Sequence, residues 1–220
     1  MPLNYQLITP PASEPVTLAQ AKLHMRLDFD DENALVQGLI TAAREYCEQV
    51  IQRAIYNRTY VLSLDQFNYG DWRSTIPMDR RNPLRFSALW QSMALRLPMP
   101  RLVSVSSITY LDTTGTQQTL DPSSYVVDAS SEPARIVPAV NLTWPTTDYY
   151  IPGSVKVTYI SGSYGDGVET DTCPASIRQA ILLLIGAWYQ NREAISPLTL
   201  KTVPMAVDAL LNGYRFYGWM

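Results

Sequence analysis

The chain holds one histidine and two cysteines in 220 residues. A Ser-His-Asp or Cys-His site would have to be built on His24, which lies in a short helical stretch far in sequence from any evident nucleophile. Cys47 and Cys173 show no paired spacing for metal or redox work, so they read as free thiols in a reducing compartment. Basic charge is also scarce: 17 Lys and Arg stand against 20 Asp and Glu, a formal net charge of −3. Tight nucleic-acid binding draws its affinity from cations that neutralise phosphates, so this balance argues against a basic DNA-binding patch. Long apolar runs are missing as well. The longest, Ala180 to Tyr189 with Gly186 inside it, falls well short of the roughly 20 residues a membrane span needs. The N-terminal stretch offers neither the basic start nor the apolar middle of a signal peptide. These absences set the expectation of a cytosolic, non-enzymatic chain with no cofactor, no metal and no membrane contact.

What is present begins with two adjacent helix starts. Thr17 followed by Gln20 is a capping box: the Thr side chain accepts from the backbone three residues on, and the Gln reaches back to the Thr17 amide. That helix runs to about Leu27. The acidic run Asp28, Asp30, Asp31, Glu32 then places negative charge at the positive end of the next helix dipole. From there Leu35, Leu39, Ala42, Ala43, Tyr46 and Val50 recur at three- and four-residue steps, which predicts one buried face on a helix ending near Arg53.

Composition changes at about Thr59. Residues 59–64 alternate and are rich in β-branched and aromatic side chains, as a half-buried strand should be. Further strands are expected at 105–111, 117–120, 125–128, 135–137 and 154–161. Thr113-Thr114-Gly115 supplies a hairpin turn, with Gly115 able to take a positive φ. After residue 167 the helical period returns. Pro174 suits a first turn, and Ile177, Ala180, Ile181, Leu184, Ile185 and Trp188 line the expected buried side. A last short helix ends near Leu211, where Asn212-Gly213 offers a left-handed stop. The fold class is therefore α+β: a helical bundle from the N- and C-terminal helices with an inserted antiparallel β-subdomain. The boundaries expected are 1–58 for the N-terminal helical part, 59–171 for the β-rich insertion, and 172–220 for the C-terminal helices and aromatic tail.

Three motifs imitate chemistry. Asp28, Asp30 and Glu32 resemble the first ligand positions of a calcium loop, but Asn33 stands where that loop needs glycine and Leu39 where it needs a bidentate glutamate. Residues 162–167, Gly-Ser-Tyr-Gly-Asp-Gly, lie between a strand and a helix, yet lack the glycine order of a dinucleotide fingerprint and any following Gly-Lys-Ser/Thr; they read as a flexible turn. No pair of carboxylates stands out for glycoside chemistry.

Residues 15–26 (Pro-Val-Thr-Leu-Ala-Gln-Ala-Lys-Leu-His-Met-Arg) and 30–44 (Asp-Asp-Glu-Asn-Ala-Leu-Val-Gln-Gly-Leu-Ile-Thr-Ala-Ala-Arg) resemble the head–tail connector, or adaptor, proteins of tailed bacteriophages. The likeness returns at 173–184 (Cys-Pro-Ala-Ser-Ile-Arg-Gln-Ala-Ile-Leu-Leu-Leu), at Trp188-Tyr189 and at Asn191 to Ala194, with Ile136 to Pro138 and Gly162 to Asp166 between. It implies a structural protein of the virion neck, assembled in the host cytoplasm. Such a protein forms a ring of about twelve copies under the portal, passes the genome through a central channel and receives the next tail or neck protein.

Two aromatic-rich stretches are then candidate partner sites, because aromatics and arginine are enriched at binding hot spots. Tyr214, Arg215, Phe216, Tyr217 and Trp219 form a tail that the resemblance offers as a portal or neighbour anchor; the alternative is that it folds back on its own bundle. Residues 67–100 are longer than the family's compact connection and carry Tyr69, Trp72, Arg73, Phe86 and Trp90, either as a partner loop or as a hairpin packed on its own sheet. A small ligand- or carbohydrate-binding module using the aromatic β-region remains the competing function.

Overall fold

The computed structural model describes residues 4–67, 94–147, 151–191 and 204–217. The described residues contain four α-helices and eight strands, an α+β fold. The chain divides into two compact units: residues 11–57 with 162–220, and residues 1–10 with 58–161.

The first unit is helical. Helix α1 (Leu18–Met25) starts on the expected capping box: Thr17 Oγ1 accepts from the Gln20 amide at 3.2 Å, and the Thr17 amide donates to Gln20 Oε1 at 3.0 Å. Helices α2 (Asn33–Ile51), α3 (Ala175–Gln190) and α4 (Pro204–Leu211) follow. One apolar cluster joins them, with Val36, Ile40, Cys47 and Ile51 of α2 against Ile177, Ile181 and Ile185 of α3 and Val207 and Leu211 of α4. Trp188, half-buried, meets Tyr46 edge to face at 6.1 Å. The α3 face is the one read from sequence, though Pro174 sits at the cap position just before the first turn.

The face of α2 differs from expectation. Leu35 is exposed and Ala42 faces solvent, while the fully buried line is Val36, Ile40, Ala43, Cys47 and Ile51, with Arg44 and Glu48 buried beside it. Two charged residues on the inner face disguise it, and apolar residues one position away make a neighbouring stripe look like the core. The helix also ends without glycine: Gln52 takes the left-handed conformation at φ 57°. Nor does Gly213 stop α4 in a left-handed turn. A 3-10 turn over Asn212–Tyr214 continues it instead.

The glycine-rich turn after residue 161 is tightly packed rather than flexible. A Cβ at Gly167, where φ is +78°, would strike the Ser13 hydroxyl and come within 2.6 Å of the Tyr56 ring. Tyr56 in turn donates to Asp171 Oδ1 at 2.8 Å, and Asp171 pairs with Arg178.

The second unit is antiparallel β. Its five-stranded sheet has the order β1-β2-β8-β4-β5, built from Tyr5–Thr9, Arg58–Leu64, Val155–Ser161, Leu102–Leu111 and Gln117–Thr119. A smaller sheet orders β3 (Leu95–Arg96), β7 (Arg135–Pro138) and β6 (Tyr125–Asp128). Strands β2 and β8 alternate buried and partly exposed residues, the period-two signature of one covered face. Tyr60 lies opposite Tyr159 in the ladder and the rings stack at 5.7 Å. Gly115 takes φ 77° in the β4–β5 hairpin, as expected. Strand β1 was not anticipated: five residues beside a run of prolines carry too short a pattern, and pairing with β2 supplies what propensity does not.

Candidate docking surfaces

The aromatic tail follows the 3-10 turn and runs along the C-terminal end of α2. A helix leaves its last four carbonyls without intrahelical partners, and here each is answered. The Gln52 amide donates to Glu48 O, and Gln52 Nε2 donates to Gln49 O at 2.7 Å. Arg215 Nε donates to Val50 O at 2.8 Å, and the Phe216 amide donates to Ile51 O at 2.9 Å. The tail therefore caps α2. Arg53 locks it from the other side, donating from Nε to Tyr214 O at 3.0 Å with its guanidinium 5.6 Å from the Phe216 ring centroid. Tyr214 packs on the apolar cluster, Phe216 is half-buried, and Tyr217 is 53% exposed with its hydroxyl donating to Asn212 Oδ1 at 2.7 Å. Of the five tail residues expected to meet a partner, two thus pack on their own bundle, Arg215 is exposed but engaged with the Val50 carbonyl, and Tyr217 remains outward. Trp219 lies outside the described residues, as do Tyr69, Trp72, Arg73, Phe86 and Trp90.

A second surface was not singled out from sequence. A cleft of about 600 Å³ opens between α1 and the start of α2, lined by Leu18, Lys22, Leu23, Arg26 and Asp30 among others. Leu23 is 81% exposed, and Phe29 and Leu35 are exposed nearby in the chain. The signal available in the sequence was Leu23 itself, an apolar residue set between Lys22 and His24. Asp30, from the calcium-loop imitation, accepts from Lys22 Nζ at 2.6 Å and Asn33 Nδ2 at 3.1 Å, and the Lys22 bond chiefly holds its carboxyl below the ordinary range. Glu32 accepts from the Tyr189 hydroxyl. These acids are engaged in joining α1, α2 and α3. His24 is exposed on α1, beside the position where a Cβ at Gly186 of α3 would make ordinary contact.

The buried ionic chemistry sits beneath these surfaces. Arg44 donates to Glu14 Oε2 at 2.7 Å and to Glu48 Oε2 at 2.9 Å, and Glu48 Oε1 accepts from the Ile55 amide at 2.9 Å. Burial pushes the Glu48 carboxyl up to about 8 against the pull of Arg44 and the Ile55 amide. Burial likewise pushes the Cys47 thiol up to about 12 and Cys173 up to about 11, so neither thiol is activated as a nucleophile. Among the described residues no group of three His, Cys, Asp or Glu could hold a metal ion, and no helix is long and apolar enough to cross a membrane.

The fold has relatives among solved structures. One is a chain from the neck of an empty gene transfer agent particle computed with C6 symmetry, at TM-score 0.67 and 19% identity, covering 96% of this chain and 94% of that one. Another, from the virion of the native gene transfer agent particle, matches at TM-score 0.67 and 19% identity over 97% and 95%. A third, from the neck of the native particle computed with C12 symmetry, matches at 0.64 and 19% over 98% and 95%. At that identity the likeness is one of fold. No curated protein sequence matches the chain. Residues 15–79 and 149–215, which carry α1, α2, β2, β8, α3, α4 and the tail as far as Arg215, match the phage gp6-like head-tail connector proteins, and the chain belongs to that family.

Proposed function

We propose that the chain is a structural head–tail connector of a virion neck, present as a ring of about twelve copies under the portal. Its work is assembly rather than catalysis. The ring would link the capsid to the tail, leave a central channel through which the genome passes without sequence-specific contact, and offer its far surface to the next tail or neck protein. The subunit would be made and assembled in the host cytoplasm. The observation that carries this reading is the family match over both halves of the helical unit. The fold neighbours add to it, since the structures that contain them are particle necks computed with C6 and C12 symmetry. A net charge of −3 suits a channel that should not hold DNA.

Docking on the portal or a neighbour would use Tyr217 and Trp219 of the tail together with Tyr214, Arg215 and Phe216 once these leave the end of α2. Tyr69, Trp72, Arg73, Phe86 and Trp90 would form a further partner loop. The competing ligand-module reading loses ground where the aromatics of the β unit are described. Tyr60, Tyr159 and Phe67 are buried, and Phe67 stacks on Trp144 at 4.9 Å and meets Tyr110 at 5.5 Å. Those rings face one another rather than a saccharide.

Light scattering on the isolated chain and electron microscopy of purified neck complexes test the reading. The expected result is a monomer alone and a ring on the portal; a chain absent from the neck, or one that binds a saccharide and no neck protein, overturns it.

A further inference from the structure

We propose that the five-stranded sheet is the element that joins neighbouring copies, with β1 of one copy forming a parallel ladder on β5 of the next. This rests on the ring-forming connector reading and names the surface that would close the ring.

The two strands occupy opposite edges of one sheet. In an antiparallel pair, successive residues direct their backbone groups alternately toward and away from the partner. The Ser63 amide donates to Asn4 O at 2.8 Å, and the register sets Gln6 opposite Val61. Asn4 and Gln6 therefore face β2, and the amides and carbonyls of Tyr5 and Leu7 point out of the sheet. At the other edge the Leu120 amide donates to Ile108 O at 2.8 Å, the Asp112 amide donates to Thr116 O at 3.0 Å, and Gln118 lies opposite Tyr110. The alternation leaves Gln117 and Thr119 pointing outward. Each edge thus offers two residues at the same spacing.

Direction fits as well. Four antiparallel pairings in succession make β1 and β5 run the same way. A twelvefold ring turns each copy by about 30°, so strand directions are nearly kept and the two edges meet as a parallel, head-to-tail contact of the kind that closes rings. In that register the Leu7 amide donates to Gln117 O and Leu7 O accepts from the Thr119 amide. The register shift between Leu7 and Thr9 marks where the ladder would stop.

Among the described residues neither edge is guarded. Natural edges carry charges or proline to prevent pairing with other chains, yet Tyr5–Thr9 and Gln117–Thr119 contain neither. Tyr5, Leu7 and Ile8 are instead exposed apolar residues. Matched spacing, matched direction and the lack of charge on both edges select a second copy of this chain as the occupant.

The test is a cross-link in particles assembled with a chain carrying Leu7→Cys and Gln118→Cys, two positions that the ladder sets side by side. Cys47 and Cys173 are buried and give little background. On oxidation, most of the chain should shift into a ladder of multimers of itself, and neither single variant should do so. Leu7→Pro removes an outward amide without touching the β2 ladder, and should melt within a few degrees of the parent chain yet fail to form rings. Rings that carry no cross-link, a cross-link to a different protein, or rings formed by Leu7→Pro overturn the edge pairing alone. A parent chain that forms no ring overturns the connector reading with it. Should Leu7→Pro fail to fold, the cross-link decides by itself.

Discussion

Arg44 and Glu48 lie one turn apart on the inner face of α2, joined at 2.9 Å with 3% of either side chain exposed. Each also reaches beyond the helix, Arg44 to Glu14 in the segment before α1 and Glu48 to the Ile55 amide after α2. The pair therefore ties the chain entering the helical unit to the chain leaving it. Burying such a pair is costly in itself, and it persists where each group keeps its partners.

Arg44→Met is expected to destabilise the protein by about 3 kcal/mol or more, because it takes the shared donor from the Glu14 and Glu48 carboxyls at once. Glu48→Gln should cost less, since its amide oxygen can still accept from Ile55. Denaturant titration of both variants checks the order, and equal losses would show that the Arg44 donor is not the critical contact.

The same carboxyl gives a pH dependence. Burial raises Glu48 from 4.5 to about 8, so the folded state holds this proton more tightly than the unfolded chain. Its contribution is fully present below about 4.5 and is lost as pH rises through about 8. The melting temperature of the parent chain relative to Glu48→Gln should fall by several degrees between pH 5 and pH 8. A difference that rises over that window, or stays flat, would show Glu48 ionised throughout.

The legible parts of this fold are those where one local rule suffices. The Thr17–Gln20 box, the α3 face and the Gly115 turn each follow from a few adjacent residues. Helix α2 could be placed from its period, but not its inner face, because Arg44 and Glu48 read as solvent residues while partners distant in sequence make them core. Strand β1 depends on tertiary pairing that no local pattern carries, and the cleft beside Leu23 left only that one apolar residue between Lys22 and His24 as a local sign. The tail was legible as unusual, since Tyr214, Phe216 and Tyr217 crowd a short stretch, but its bond to the α2 carbonyls is not, because any helix end would accept such a cap.

Gly167→Ala should be severely destabilising although only one methyl is added. A side chain at φ +78° is strained, and here the Cβ also meets the Ser13 hydroxyl and the Tyr56 ring. A loss of about 2 kcal/mol or more is expected, against a small change for Gly38→Ala, where nothing lies within 4 Å and alanine favours the helix. Calorimetry on the two variants makes the comparison.

The tail separates capping from docking. Removing residues 215–220 deletes the Arg215 and Phe216 donors and leaves the carbonyls of Val50 and Ile51 unanswered at the end of α2. At roughly 1 kcal/mol for each hydrogen bond, and with the Phe216 ring lifted from Arg53, melting should drop by several degrees. Tyr217→Ala removes a ring that is mostly in solvent and bonds only within the turn, to Asn212. It should leave melting within about 0.5 kcal/mol of the parent chain. If the outward tail residues meet the portal or a neighbouring copy, Tyr217→Ala weakens that attachment at unchanged stability, as loss of an aromatic anchor does at interfaces. Melting and co-sedimentation with the portal, measured on both variants, divide the roles. Full attachment of Tyr217→Ala and of the truncated chain would leave the tail as a cap for α2 and nothing more.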